Sequence, residues 1–248
     1  TGNSITVANV AGPTLTSATY NAFNGALVIT GTNLPAYSGA TNDIDISKLT
    51  LTGEGGNTYT LTSDDVELTS STEFSLTLNA ADQLQLAGLF NKNGTSSGGG
   101  TTYNIAAAED WAPGADASTD IADLTGNSIT VANVAGPTLT SANYDASAGA
   151  LVITGTNLPA YPGASNDLDV SALTITGEGG STYTLTSDDV ELSSATSATV
   201  TLNSTDQSQL TSLLDYRGTS SSGGTTYNIA AANRWVPGAD ENTDCSDL

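Results

Sequence analysis

Histidine and methionine are absent from the 248-residue chain, cysteine occurs once, and lysine and arginine together number 4. Each shortage excludes something. Without histidine there is no Ser-His-Asp triad and no Cys-His dyad. The single Cys245 cannot form an intramolecular disulfide. Against the 4 basic residues stand 26 Asp and Glu, a net charge of −22, so the chain repels nucleic acid and anionic membranes and attracts cations. No stretch reaches the roughly 18 consecutive apolar residues of a membrane-spanning helix. No signal peptide opens the sequence, so an exported protein would be represented here by its mature form or a fragment.

What is present is a duplication. TGNSITVANVAGPTLTSATY starts at Thr1 and TGNSITVANVAGPTLTSANY at Thr125, so 125 − 1 = 124 residues separate the copies, half of the 248. The register holds throughout: Tyr59 matches Tyr183, Trp111 matches Trp235 and Pro113 matches Pro237. The expected domains are therefore 1–124 and 125–248, each long enough to bury a core without disulfides. Cys245 stands where the first repeat has Ile121. It reads either as a semi-buried replacement for that residue or as a thiol for an intermolecular disulfide.

Apolar residues are 38% of the chain, low for a globular protein, but their period-2 alternation is too regular for disorder. Leu49-Thr-Leu-Thr52, Tyr59-Thr-Leu-Thr62 and Phe74-Ser-Leu-Thr-Leu78 alternate, and Leu27-Val-Ile29 is a run of the fully buried type. Asn24-Gly25, Gly53–Asn57, Ser63-Asp-Asp65 and Gly98–Gly100 are turn signals. The spacing predicts strands over 13–20, 25–33, 46–53, 57–62, 72–78, 101–107 and 127–134. It predicts one helix over 80–90, capped by Asn79, with Leu86, Leu89 and Phe90 on one face. The fold class is all-β: two tandem immunoglobulin-like β-sandwich modules, each with one short helix.

Gly25-Ala-Leu-Val-Ile-Thr-Gly-Thr-Asn-Leu34 resembles the second strand of IPT/TIG-type immunoglobulin-like domains. Thr41-Asn-Asp-Ile-Asp-Ile-Ser-Lys-Leu-Thr-Leu-Thr-Gly-Glu-Gly55 and Ile121-Ala-Asp-Leu-Thr-Gly-Asn-Ser-Ile-Thr-Val131 resemble repeats of very large bacterial cell-surface and adhesin-like proteins. The resemblance implies an extracellular or cell-surface spacer or fibre.

Strands that alternate in direction place the loops 34–45, 63–71 and 108–126 at one pole, and with them most of the acid. A Ca²⁺ ion is the expected neutralising ligand, since hard oxygen donors without His suit it. The candidates are Asn42, Asp43, Asp45, Asp64, Asp65, Asp116 and Asp120, and in the second repeat Asn166, Asp167, Asp169, Asp188, Asp189, Asp240 and Asp244. The competing reading is a solvated acidic surface whose Asp residues form turns. Trp111 and Trp235 lie in the same loops, where they either stack on a carbohydrate or seal the base of a sandwich. A glycosidase-type carboxylate pair is the one catalytic device the composition leaves, but the acids recur in predicted turns of both repeats, and no enzyme is expected.

The repeat boundary need not be the folding boundary. Ala11-Gly12-Pro13 and Ala135-Gly136-Pro137 look like the real breaks. Strand 129–134 would then close a unit 13–136, and a unit 137–248 would lack its closing strand, while residues 1–12 carry a spare copy. Ile5, Val7 and Val10 become a self-assembly strand, donated head-to-tail to another copy in a filament or adhesin stalk. The alternative keeps 5–10 as the first strand of its own repeat, with 107–124 as linker.

Overall fold

The computed structural model describes residues 2–161 and 166–248. With 32% strand and 13% helix it is all-β in class and consistent with a sandwich. The first half runs β1 (Thr14–Asn21), β2 (Ala26–Thr32), β3 (Leu49–Thr52), β4 (Thr58–Thr60), β5 (Glu73–Thr77), α1 (Ala80–Leu89), β6 (Asn104–Ala107) and β7 (Ser128–Ala132). The second runs β8 (Thr138–Asp145), β9 (Ala150–Thr156), β10 (Leu173–Thr176), β11 (Thr182–Thr184), β12 (Ser197–Thr201), α2 (Ser204–Leu213) and β13 (Asn228–Ala231).

Strand formation follows the alternation, with two refinements. In β1 a register shift between Leu15 and Ser17 changes the phase, so Leu15, Ala18 and Tyr20 all turn inward. The Leu27-Val-Ile29 run is not buried on both faces: Leu27 and Ile29 are core, whereas Val28 is half-buried and its counterpart Val152 is 39% exposed. Only one face of β2 has a sheet to pack against.

The expected strand over 46–53 begins later. Asp45 caps a 3₁₀ turn at Ile46–Lys48 by accepting from the Ser47 backbone N–H, and β3 starts after it. The expected helix is present, with the Asn79 side chain accepting from Asp82 N–H. Leu86, Leu89 and Phe90 are buried on its inner side.

In the first half seven strands form one sheet in the order β4-β3-β6-β7-β1-β2-β5. It wraps around a single core holding Tyr20, Leu27, Ile29, Leu51, Phe90, Tyr103, Ile105 and Ile129. β7 is the seam. It runs parallel to β1, pairing Ser17 with Ser128 through Asn21 with Ala132, and it meets β6 antiparallel at Asn104 and Ser128. By sequence β7 belongs to the second repeat, yet it is hydrogen-bonded into the first half.

The second half has a separate core and two three-stranded sheets, β11-β10-β13 and β12-β9-β8. No described strand joins β13 to β8 in the way that β7 joins β6 to β1.

Candidate functional site

The missing seam leaves an open groove of about 1100 Å³ between β8 and β13, lined by Ala142, Tyr144, Leu151, Ile175, Tyr227 and Ile229 among others. These are the second-repeat counterparts of Ala18, Tyr20, Leu27, Leu51, Tyr103 and Ile105, all of which are buried in the first half. Tyr144 and Ile229 are only half-buried, and Tyr227 is half-exposed as well. The same side chains thus line a closed core in one half and an open slot in the other.

The first half shows what fills such a slot. Ile129 and Val131 of β7 are buried in the first-half core. Gly94 and Val131 exchange two backbone hydrogen bonds, each of 2.8 Å, and Ile105 N–H donates to Asn127 C=O. The Asn127 side chain, itself buried, donates to the Ile105 carbonyl (3.2 Å) and to Asp123 (2.8 Å). Burial, reinforced by the charge of Asp82, pushes the Tyr20 phenol up to about 12.

Residues 1–12 repeat 125–136 without a change. Residues 2–12 form no strand, and Ile5, Val7 and Val10 are 88%, 72% and 74% exposed. Asn9 has the left-handed φ of 60° that Asn133 has at 61°.

The acidic residues are differently employed from the metal-ligand expectation. Asp43 is buried and accepts from Tyr37 and Leu68 N–H; Asp167 does the same from Tyr161 and Leu192. Asp45 and Asp169 cap 3₁₀ turns, while Asp65 and Asp189 accept from Ile46 and Val170 N–H. Asp116, Asp120, Asp240 and Asp244 accept from backbone N–H groups two residues ahead. Hydrogen bonds from Ser118 hold the Asp116 carboxyl below its ordinary range, as bonds from Ser246 do for Asp244. Asn42 N–H donates to Glu67, and Asp64, Asp188 and Asn166 lie on the surface.

Among the described residues no three acidic or cysteine side chains converge as a metal site would require. A Ca²⁺ site needs six to eight oxygens around one point, and these carboxylates are spread over separate turns. The donor set does not fit the ion expected from the sequence.

Trp111 and Trp235 are fully buried, and each indole N–H donates to a backbone carbonyl, that of Ile121 or Cys245. Neither ring has a face to offer a sugar. Each packs into the core of its own half. Cys245 is 7% exposed where Ile121 is 6% exposed, and its thiol donates to Asn233 Oδ1 at 3.4 Å.

The groove lining is not singled out by any motif in the sequence. Its signal lies in the repeat offset: Ser17, Ala18 and Tyr20 of β1, with Gly94, Tyr103 and Asn104, recur as Ser141, Ala142, Tyr144, Gly218, Tyr227 and Asn228, while Thr19 and Asn21 become Asn143 and Asp145. No protein-family model matches the chain, and no curated protein matches it.

Proposed function

We propose that the chain is a non-catalytic structural subunit of an extracellular, cell-surface filament or adhesin stalk, assembled head-to-tail by donor-strand exchange. Ser4–Ala8 of one copy enters the β8–β13 groove of the next. The supporting observation is the pairing of an open groove with an exposed segment whose identical copy, Ser128–Ala132, is a strand at the equivalent position one repeat earlier.

Carried over by the repeat offset, the register sets Ser4 opposite Ser141, Ile5 opposite Ala142, Val7 opposite Tyr144 and Ala8 opposite Asp145, parallel to β8. Val7 would exchange backbone bonds with Gly218, and the Asn3 side chain would reach the Ile229 carbonyl and Asp247. Burying Ile5 and Val7 contributes about 1.5–3 kcal/mol each, while the ladder satisfies two sheet edges at once. Val10 would be half-covered, as Val134 is. The contact joins unlike surfaces, so it propagates instead of closing into a dimer.

The resemblance to bacterial surface repeats favours an extracellular setting. Stiffening by calcium lacks support, because the carboxylates do not converge among the described residues. The carbohydrate-binding reading loses its support with the burial of both indoles.

Electron microscopy of the intact protein beside a variant lacking residues 1–12 tests the reading. Filaments from the first and dispersed, folded particles from the second are expected. Equal polymers from both would refute it.

A further inference from the structure

We infer that successive junctions in the assembly are unequal: helix α1 makes the junction within a chain rigid, and helix α2 makes the junction between copies a hinge. This rests on the donor-strand reading above.

Within the chain, the outer side of α1 meets loops at the near end of the second half. Gly88 is buried there, and a β-carbon added to it would overlap the Ala160 carbonyl oxygen and lie 2.9 Å from Tyr161 Cα. Leu84 packs against the second core, next to a cleft shared by Ala80, Ala81 and residues 193–196. Asn57 Nδ2 donates to the Tyr161 hydroxyl at 3.1 Å. On the flanking loop Asn242 Nδ2 donates to Gly98 C=O, and a β-carbon at Gly98 would come within 2.5 Å of Asp240 Oδ1.

The tether at the junction between copies is the same. Asn9–Pro13 repeats Asn133–Pro137, so strand donation presents α2 of one copy to Ala36, Tyr37 and Asp116 of the next, as α1 is presented to Ala160, Tyr161 and Asp240. The docking residues have changed. Leu84 becomes Ser208, Gly88 becomes Ser212, Asn57 becomes Ser181 and Gly98 becomes Ser222. Ser208 and Ser212 are exposed. The Ser212 β-carbon would overlap the Ala36 carbonyl if the internal geometry were copied, and backbone cannot yield as a flexible side chain does. The apolar contact of Leu84 is lost as well. The donated strand then carries the linkage alone, with Tyr37, 57% exposed, left beside a loose joint.

Electron cryomicroscopy of filaments of the intact protein, with the angle between neighbouring sandwich units measured at every junction, tests this. Narrow and wide angular distributions are expected to alternate. Ser208→Leu with Ser212→Gly should narrow the wide class, and Gly88→Ser should widen the narrow one. Each places at a surface helix the residue its sister helix already bears, so folding is preserved. One distribution shared by all junctions, or two that these variants leave unmoved, overturns the inference and leaves strand donation standing. Absence of filaments overturns both.

Discussion

Tyr20 and Tyr144 stand at the same place in two repeats, in almost the same sequence, and only one of them is buried. The same holds for Ile105 and Ile229, whose exposure differs although both face inward from the strand after the helix. The neighbouring core is nearly unchanged: Leu27 and Leu151, Ile29 and Ile153, and Trp111 and Trp235 are buried in both halves. The first half has a five-residue strand, Ser128–Ala132, with no described counterpart between β13 and β8, and it has Phe90 packed on Tyr20 and Tyr103 where the second half has Leu214. A sandwich of this kind keeps its two sheets and its capped ends without the seam strand, and what it lacks is confined to one slot. In the proposed assembly, that separation lets a half be folded and still receptive.

The sharpest contrast between the halves should come from one isoleucine in its two positions. Ile129→Ala should cost the first half about 2–5 kcal/mol, because it empties a fully packed site. It would be read by denaturant titration of Trp111 fluorescence in a Trp235→Phe background. Ile5→Ala should leave the stability of the unassembled chain unchanged, since Ile5 touches no core. A matching loss at Ile5 would mean that it already packs in its own chain.

The next effect concerns a feature both halves share. Asp206 is buried against the start of α2. Burial alone would raise its carboxyl, but bonds from Ser187, Thr186 and Tyr183 outweigh it and hold the group below the ordinary value. The unfolded chain therefore takes up the proton first. The stabilisation is present above the ordinary carboxylate value near 4 and fades as pH falls through the lowered one. Asp206→Asn should flatten the acid limb of a stability–pH curve, and an unchanged slope would remove Asp206 from the account.

Smaller still is the response to chelation. Addition of a Ca²⁺ chelator should leave Tm and filament appearance unaltered, and a large drop in Tm would restore a metal role to the acidic turns. The smallest effect is at Cys245. Cys245→Ile restores the first-repeat residue at a position of matching exposure but enlarges the side chain beside Asn233, and should shift stability toward the low end of the roughly 1–3 kcal/mol of small-to-large changes, while a loss of assembly would point to the thiol instead.

Much of this architecture is legible in the sequence. Alternation, turn signals and the Asn79 cap locate the strands and the helix, because each depends on neighbours along the chain. The 3₁₀ turn at Ile46–Lys48 shows in the sequence only as a phase break: Ile44 and Ile46 alternate, as do Leu49 and Leu51, but Leu49 lies three positions after Ile46, so a continuous strand over 46–53 would have put Ile46 on the opposite face. The acidic residues mislead because composition reveals a charge and not its partner: Asp43 and Asp116 look like ligands until the N–H groups they accept from are located. Asp82 is visible as a first-turn acid, but not as the acceptor for Tyr59, Thr62 and Ser63 at once, which depends on tertiary packing. The Gly12-Pro13 and Gly136-Pro137 breaks point to the seam because a strand that crosses between repeats leaves an unequal remainder at each end.

Amide hydrogen exchange on the chain lacking residues 1–12, with and without a synthetic peptide of Thr1–Gly12, addresses strand donation most directly. The peptide should slow exchange in β8 over Ala142–Asp145 and at Gly218 and Ile229, toward the protection expected over Ala18–Asn21, Gly94 and Ile105, which β7 already pairs. A peptide carrying Ile5→Asp and Val7→Asp should do nothing. No protection, protection elsewhere, or equal protection by the altered peptide would contradict it.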